Sequence, residues 1–397
     1  MTEQALSGVQ VLDLTQYIAG PYCTKFMSDY GAEVIKVERP GVGDVARSMG
    51  PFLNDEAHPE KSGLFLYLNT NKKSITLNLN SPTGVKIFKD LVKRADALVE
   101  DFSPAMMPSL GLDYKTLKKI NPKLVMTSIT PFGQTGPYRD YKADDLTIWA
   151  WSGILGETGN PDREPLKIGL NETDYVAGFY GVLTTLAALY YRDETGVGQY
   201  LDISAWDAFQ TAEPYAPLLV SQLGGFVRKR QGIRWPWGIL PCKDGYVGFF
   251  FATQPNWESL CALMGMPELL DKPGYGTPME RDEHVEEITS IITSWLKDKT
   301  MEEAFYAAQE LRLPLTSLLD VSQIIDMPQH KARGYFVDIE HPMAGRLTYP
   351  GALFNLSETP WRAGRAPLLG EHNQEVYCGR LGYSKEHLVN LREQGII

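Results

Sequence analysis

The sequence predicts an α/β protein: a parallel sheet with helices between its strands, followed by a smaller α+β domain. Three observations predict it. Five short β-rich runs alternate with helical patterns over the first 130 residues, and strands separated by helices imply parallel pairing. At 397 residues the chain is long enough for two cores. The texture changes near Gly224, where "GGFVRKRQGIRWPWG" is basic, glycine-rich and aromatic and reads as an exposed linker or loop.

Taken in order, the strands are expected at Val9 to Leu14, Ala32 to Glu38, Ser74 to Leu79, Ala97 to Phe102 and Leu124 to Thr130. In "SPTGVKIFKDLVKRA", Ser81 can cap a helix with Pro82 at its first position. Val85, Phe88, Leu91, Val92 and Ala95 then share one face. A long helix of small and apolar residues is expected from about Tyr175 to Arg192, ending in a glycine turn and a short strand. Beyond Gly224, "GYVGFFF" (Gly245 to Phe251) reads as a strand, followed by helical patterns to about Ile325. "GYFVDIEHPMAGRLTYPG" (Gly334 to Gly351) reads as a hairpin turning at "MAG", and the tail as two helices. The expected domains are residues 1–223, 224–330 for the linker and small domain, and 331–397 returning to the large one.

Composition narrows the function. A net charge of −11 argues against nucleic acid. The four cysteines and six histidines are scattered without CxxC, HxxE or HxxxH pairs, so neither a disulfide frame nor a metal site is expected. The amino terminus lacks the basic start and apolar run of a secretory signal, and no apolar stretch of about 18 residues could span a membrane. A cytoplasmic location follows as the expectation.

Ligands of a parallel sheet gather at the carboxyl ends of its strands. The segments there are "TQYIAGP", "RPGVGD", "NLNSP", "DFSP" and "PFGQTGPYRDYKADD". No GxGxxG or GxxxxGK[ST] phosphate loop occurs, so a nucleotide's phosphates must meet scattered cations such as Arg39, Lys72 and Lys73. The simpler reading of those three is a solvated charged face. No GxSxG elbow and no adjacent Cys/His pair supports hydrolase chemistry. What remains is carboxylate chemistry: Asp144 and Asp145 side by side, and Asp174 at the head of the long helix. Spacing alone favours Asp174 as a helix cap worth about 1 kcal/mol. The alternative is a nucleophile kept ionised by the helix dipole. Ala177, Gly178 and Gly181 would admit either a bulky ligand or another backbone.

Nine fragments in order resemble the class III CoA-transferases. They include "LSGVQVLDLTQYIAGPYCTKFMSDYGAEVIKVERPGVGD", "NTNKKSITLNLNSPTG", "LVEDFSP", "NPKLVMTSITPFGQTGPYRD", "ETDYVAGFYGVLTTLAALYYRDETGVGQYLDIS" and "RAPLLGEHNQEV". The resemblance makes Asp174, ahead of "YRDETGVGQ", the expected nucleophile. It implies CoA contacts at Ile18, Ala19, Arg39, Leu77, Asn78, Asp101, Phe102 and Lys142, with a CoA thioester as substrate and no permanently bound cofactor. Two positions depart from the family: Ser109 stands where arginine is frequent, and Asp101 where asparagine is commoner. The family fold is a Rossmann-like large domain built from both termini plus a small α+β domain, each subunit a ring in an interlocked homodimer; a heteromer with a related subunit is the alternative.

Two rival readings share that fold. An α-methylacyl-CoA racemase would want a histidine where Asp144 stands, and a non-catalytic CoA-binding subunit would not need Asp174. For the acyl group, the aromatics Tyr17, Trp149, Trp151, Trp235 and Trp237, with Gly238 in the "RWPWG" loop, suggest a medium-sized organic acid with an apolar or aryl body, exchanged with succinyl-CoA or a similar donor. Arg228 or Arg234 could hold a second carboxylate.

Overall fold

The computed structural model describes residues 4–212, 221–222, 235 and 237–397. Six strands form one parallel sheet: β1 (Gln10–Asp13), β2 (Glu33–Glu38), β3 (Lys73–Thr76), β4 (Ala97–Glu100), β5 (Val125–Thr130) and β6 (Tyr200–Ser204). Their order is β3-β2-β1-β4-β5-β6, which reverses direction between β1 and β4. Such a reversal opens a crevice above the carboxyl ends of those two strands. Strands β2, β4 and β5 are buried on both faces, as continuous apolar runs demand, while the edge strand β6 is partly exposed.

Helices cover each face. On one side α2 (Pro82–Val92), capped by Ser81 with Pro82 in its first turn, buries Ile87, Phe88, Leu91 and Val92 against Leu12, Ile35 and Leu98. The same core takes in Tyr377, Leu391 and Ile396 from the far end of the chain. That tail also covers β3: His372 N donates to Ser74 O at 2.9 Å, and the Tyr377 hydroxyl to Thr76 O at 2.7 Å. An exposed edge strand is thereby closed off.

On the other side lie α1 (Ala19–Asp29) and α4 (Glu172–Thr195), with α3 (Asp145–Trp151) between them in sequence. Helix α4 ends on Gly196 in the left-handed conformation, which glycine adopts without steric cost. Its small residues serve packing. A Cβ at Gly178 would fall 2.4 Å from the Ala19 carbonyl, so the α1 backbone fills the space that a ligand could otherwise have used. Burial of Ala177, Val182 and Leu189 with Cys23, Met27 and Val99 locks the pair onto the sheet.

The chain divides into two compact units. The first comprises residues 1–156, 167–227 and 333–397, the second 157–166 and 228–332. In the first, β10 (Phe336–His341) and β11 (Gly345–Pro350) form an antiparallel hairpin around Pro342, Met343 and Ala344. In the second, β7 (Trp237–Pro241), β8 (Tyr246–Phe250) and β9 (Leu315–Ser317) form an antiparallel sheet. It packs Val247 and Phe249 against Trp257, Leu260 and Ile292. No helix among the described residues is long and apolar enough to cross a membrane.

Candidate active site

Just past β1, at the crevice, three consecutive backbone N–H groups are each taken by a different aspartate. Thr15 N donates to Asp13 Oδ1 at 2.8 Å. Gln16 N is shared by the Asp101 oxygens at 3.1 and 2.9 Å. Tyr17 N donates to Asp44 Oδ1 at 3.0 Å. Each acid follows or ends a different strand, so the clamp exists only once β1, β2 and β4 are paired. Tyr17 sits at φ +69°, a conformation uncommon for a non-glycine residue, which the clamp sustains.

Two buried lysines compensate these acids. Lys36 Nζ lies 2.7 Å from Asp44 Oδ2 and 3.9 Å from Asp13 Oδ2, and Lys72 Nζ 3.0 Å from Asp13 Oδ2. Burial alone would raise Asp13, but the two cations outweigh it and hold the carboxyl at about 2. At Lys72 burial dominates and lowers the ammonium to about 8, since Lys36 competes for the same acids. Burial likewise raises Asp101 well above the usual carboxylate range, so the extra negative charge expected there is suppressed.

Asp174 is no cap. The N-cap of α4 is Asn171, and Asp174 lies three residues inside the helix start. Asn171 Nδ2 donates to the Tyr17 hydroxyl at 2.6 Å and reaches Asp174 Oδ2 at 3.4 Å. Asp145 faces the same helix start, accepting from Thr173 N at 2.9 Å and Thr173 Oγ1 at 2.8 Å, with Lys167 Nζ 2.5 Å from its other oxygen. Burial, then the charge of Asp145, pushes Asp174 up to about 7. Asp144 caps α3 through Thr147 N at 2.9 Å. A carboxyl with few stabilising partners, titrating near neutrality in a crevice, has the profile of a reacting group.

Two cavities converge here. One, of about 430 Å³, is lined by Arg39, Gly43, Leu77, Asn78, Phe102 and Gln16. The other, of about 380 Å³, is lined by Tyr17, Ala19, Asp101, Asp144, Thr173 and Asp174, again with Gln16 and Phe102. Gln16 and Phe102 thus lie between a chamber with a cation at its rim and one ending on Asp174. Arg39 is exposed and has no ion pair among the described residues.

Of the expected CoA contacts, Leu77 and Asn78 line the first cavity, whereas Ile18 and Lys142 line neither. Ile18 is buried beneath the start of α1, and Leu77 belongs to the main core although it edges the first cavity. Asn78 Nδ2 is engaged with Gly395 O at 3.3 Å. Lys142 is exposed on the segment leading to Asp144 and lines neither cavity. Lys72 overturns the solvated-face reading: it is 3% exposed and donates to Asp13, Thr24, Asn69 and the Pro21 carbonyl. Lys73 is tied to Glu33 and Glu375, away from both cavities. Ser109 is exposed and donates back to Met106 O within its own short helix.

The aromatic wall is also corrected. Trp149 is a core residue packed 5.0 Å from Phe209, and Trp235 is buried against Trp257 in the second unit, with the Arg281 guanidinium over its ring. Trp151 is exposed, edge-on to Tyr138. Trp237 stacks on Phe250 and Gly238 pairs with Phe249 across β7 and β8. Of the set, Tyr17 alone lines the Asp174 cavity. Arg228, Arg234 and the rest of the Gly224 segment up to residue 234 lie outside the described residues. Sequence reasoning missed Asn171, Lys167, Asp13 and Asp44. Asn171 carries a faint signal, the i, i+3 spacing to Asp174 across a helix start; the others become neighbours only through the sheet.

The family model for CoA-transferase family III matches residues 6–373. The sequence is 33% identical to formyl-CoA:oxalate CoA-transferase of Rhodopseudomonas palustris, over 99% of this chain and 97% of that protein. It is also 33% identical to succinyl-CoA–D-citramalate CoA-transferase of Chloroflexus aurantiacus, over 99% and 98%. A crystal structure of a CAIB/BAIF family protein from Brucella suis superposes with a TM-score of 0.85 at 30% identity, covering 95% of this chain and 99% of that one.

Proposed function

Since the chain belongs to CoA-transferase family III, and is a class III CoA-transferase, we propose that it moves CoA from an acyl-CoA donor to a medium-sized organic acid through covalent intermediates on Asp174. The carrying observation is the pair of cavities that meet at Gln16 and Phe102, one rimmed by Arg39 and the other ending on Asp174. A CoA thioester would run its nucleotide past Arg39, Asn78 and Phe102 and present its carbonyl to Asp174. Ionised Asp174 attacks that carbonyl; the C–S bond breaks and CoA leaves as thiolate, giving a mixed aspartyl anhydride. The thiolate then attacks the aspartyl carbonyl, releasing the donor acid and leaving an enzyme–CoA thioester. The acceptor carboxylate repeats both steps in reverse. Each exchange conserves the activated acyl bond, provided water is kept out.

Succinyl-CoA is the donor to test first, because the similar Chloroflexus enzyme is named for it. For the acceptor, the wall argument now rests on Tyr17 with Ile129, Pro131 and Ile148. This supports an acid with an apolar body and leaves an aryl preference without its tryptophans. The proton exchange of a racemase lacks support, because Asp144 offers a capping carboxylate in place of an imidazole. On the same resemblance we read the assembly as an interlocked homodimer; rapid subunit exchange between two tagged preparations would contradict it. The decisive assay incubates a panel of acids, oxalate, citramalate and alkyl- and aryl-substituted acids among them, with succinyl-CoA and reads new thioesters by mass spectrometry. No new thioester from any acid or donor overturns the reading.

A further inference from the structure

The clamp described above fixes Tyr17 beside the nucleophile, and the hydrogen bonding leaves its proton unassigned. Asn171 Nδ2 faces both the Tyr17 hydroxyl and Asp174 Oδ2. The reverse amide orientation would set its oxygen against a carboxylate. The Tyr17 oxygen is therefore the acceptor of that bond, and its O–H is free to donate elsewhere. Both side chains line the same cavity.

We propose that the Tyr17 hydroxyl is a catalytic hydrogen-bond donor to the oxyanion formed when Asp174 attacks an acyl carbonyl. This rests on the reading of Asp174 as nucleophile. The two hydrogen bonds through Asn171, laid end to end, bound the separation of the Tyr17 and Asp174 oxygens at about 6 Å. An attacked carbonyl oxygen lies roughly 2–3 Å from the attacking atom, so within that bound it can come into hydrogen-bond reach of the phenol. In the step, the carboxylate lone pair forms the new C–O bond and the carbonyl π pair moves onto oxygen. Tyr17 donates without releasing its proton. The oxyanion then collapses, expelling thiolate with the C–S pair. Burial, with the charge of Asp174 nearby, raises the Tyr17 phenol above its ordinary value, which keeps the donor protonated through the working pH range.

The alternative is that Tyr17 only holds Asn171 and, through it, Asp174. The two roles separate on kinetics. Tyr17→Phe removes one hydroxyl and keeps the ring in place. Loss of an oxyanion donor should lower kcat by about 10²–10³-fold, leave the KM for succinyl-CoA within about threefold, and leave the acid limb of the pH–rate profile where it was. Unchanged kcat overturns the inference. So does a fall accompanied by a shift of the acid limb by about one unit, since that marks a change at Asp174 itself. Wild-type enzyme and Asp174→Ala are run alongside. If Asp174→Ala retains full transfer, the nucleophile reading fails and this inference with it; if Asp174→Ala is dead and Tyr17→Phe is fully active, this inference fails alone.

Discussion

Asp13 and Asp174 are both buried or half-buried aspartates flanking the same loop, yet their surroundings drive them apart. Asp13 shares Lys36 with Asp44 and pairs with Lys72 besides, and its carboxyl is held at about 2. Asp174 is buried and meets Asp145 and Asp144, which outweigh the Asn171 amide and Lys167, and it is pushed to about 7. The first group is locked into one charge state and serves as a fixed acceptor for backbone N–H groups. The second is poised between states and has little else to bond. Rigidity is concentrated where the loop's backbone is held by Asp13 and Asp44, and reactivity where the Tyr17 side chain meets the start of α4.

The largest effect should come from removing the poised group. Asp174→Ala is expected to lower CoA transfer by about 10⁴-fold or more while leaving the fold intact, because a nucleophile has no substitute in a covalent mechanism. Thioester formation followed by mass spectrometry, beside a circular dichroism spectrum, checks both halves. Full activity in freshly purified variant enzyme would erase the contrast between the two aspartates.

The locked side should fail in stability instead. Lys72→Met strips Asp13 of its nearer cation and leaves Asn69 and Thr24 without their buried donor. Removing one partner of a buried ion pair costs about 3–5 kcal/mol. Denaturant unfolding at neutral pH reads that loss directly. The contribution of Asp13 follows its depressed pKa: present above the unfolded value of 3.8, it is lost as pH falls through about 2. A loss below about 1 kcal/mol would mean the network beneath the loop is not what holds it.

The contrast between these sites also marks how far the sequence could be read. All five expected strands of the first 130 residues are present, with ends shifted by at most three residues, because β-rich runs between turn residues carry their own signal. Helix α4 was legible from its small residues and terminal glycine, though its true start lies at Glu172. Lys72 was misread because a lysine beside another lysine looks solvated; its partner Asp13 is 59 residues away and meets it only across the sheet. Trp149 was misread for the complementary reason, since an aromatic on a helix looks the same whether it faces Phe209 or a ligand. Asp174 was located by family pattern, and its displacement from the cap position needed the helix boundary itself.

A smaller effect is expected at the cavity rim. Arg39→Ala should raise the KM for the CoA donor about tenfold with kcat little changed, because a phosphate contact stabilises ground and transition states alike. An unchanged KM would remove the nucleotide from the 430 Å³ cavity.

The smallest test touches the balance of charge around Asp174 without touching Asp174. Lys167 sits on Asp145 and, together with the Asn171 amide, lowers Asp174 against the burial and the two carboxylates that raise it. Only ionised Asp174 can attack, so the rate should rise with pH through about 7 and level off above it. Lys167→Ala leaves Asp145 uncompensated, which makes ionising a second carboxyl beside it harder, and the acid limb should move to higher pH. The shift should stay under about one unit, a free energy of roughly 1.4 kcal/mol, because burial remains the larger cause. At pH 8 and above the variant should regain most of the wild-type rate, with KM for succinyl-CoA unchanged. A limb that stays put would show that Lys167 answers to Asp145 alone; a limb that moves down would reverse the sign of the electrostatics on which the contrast with Asp13 depends.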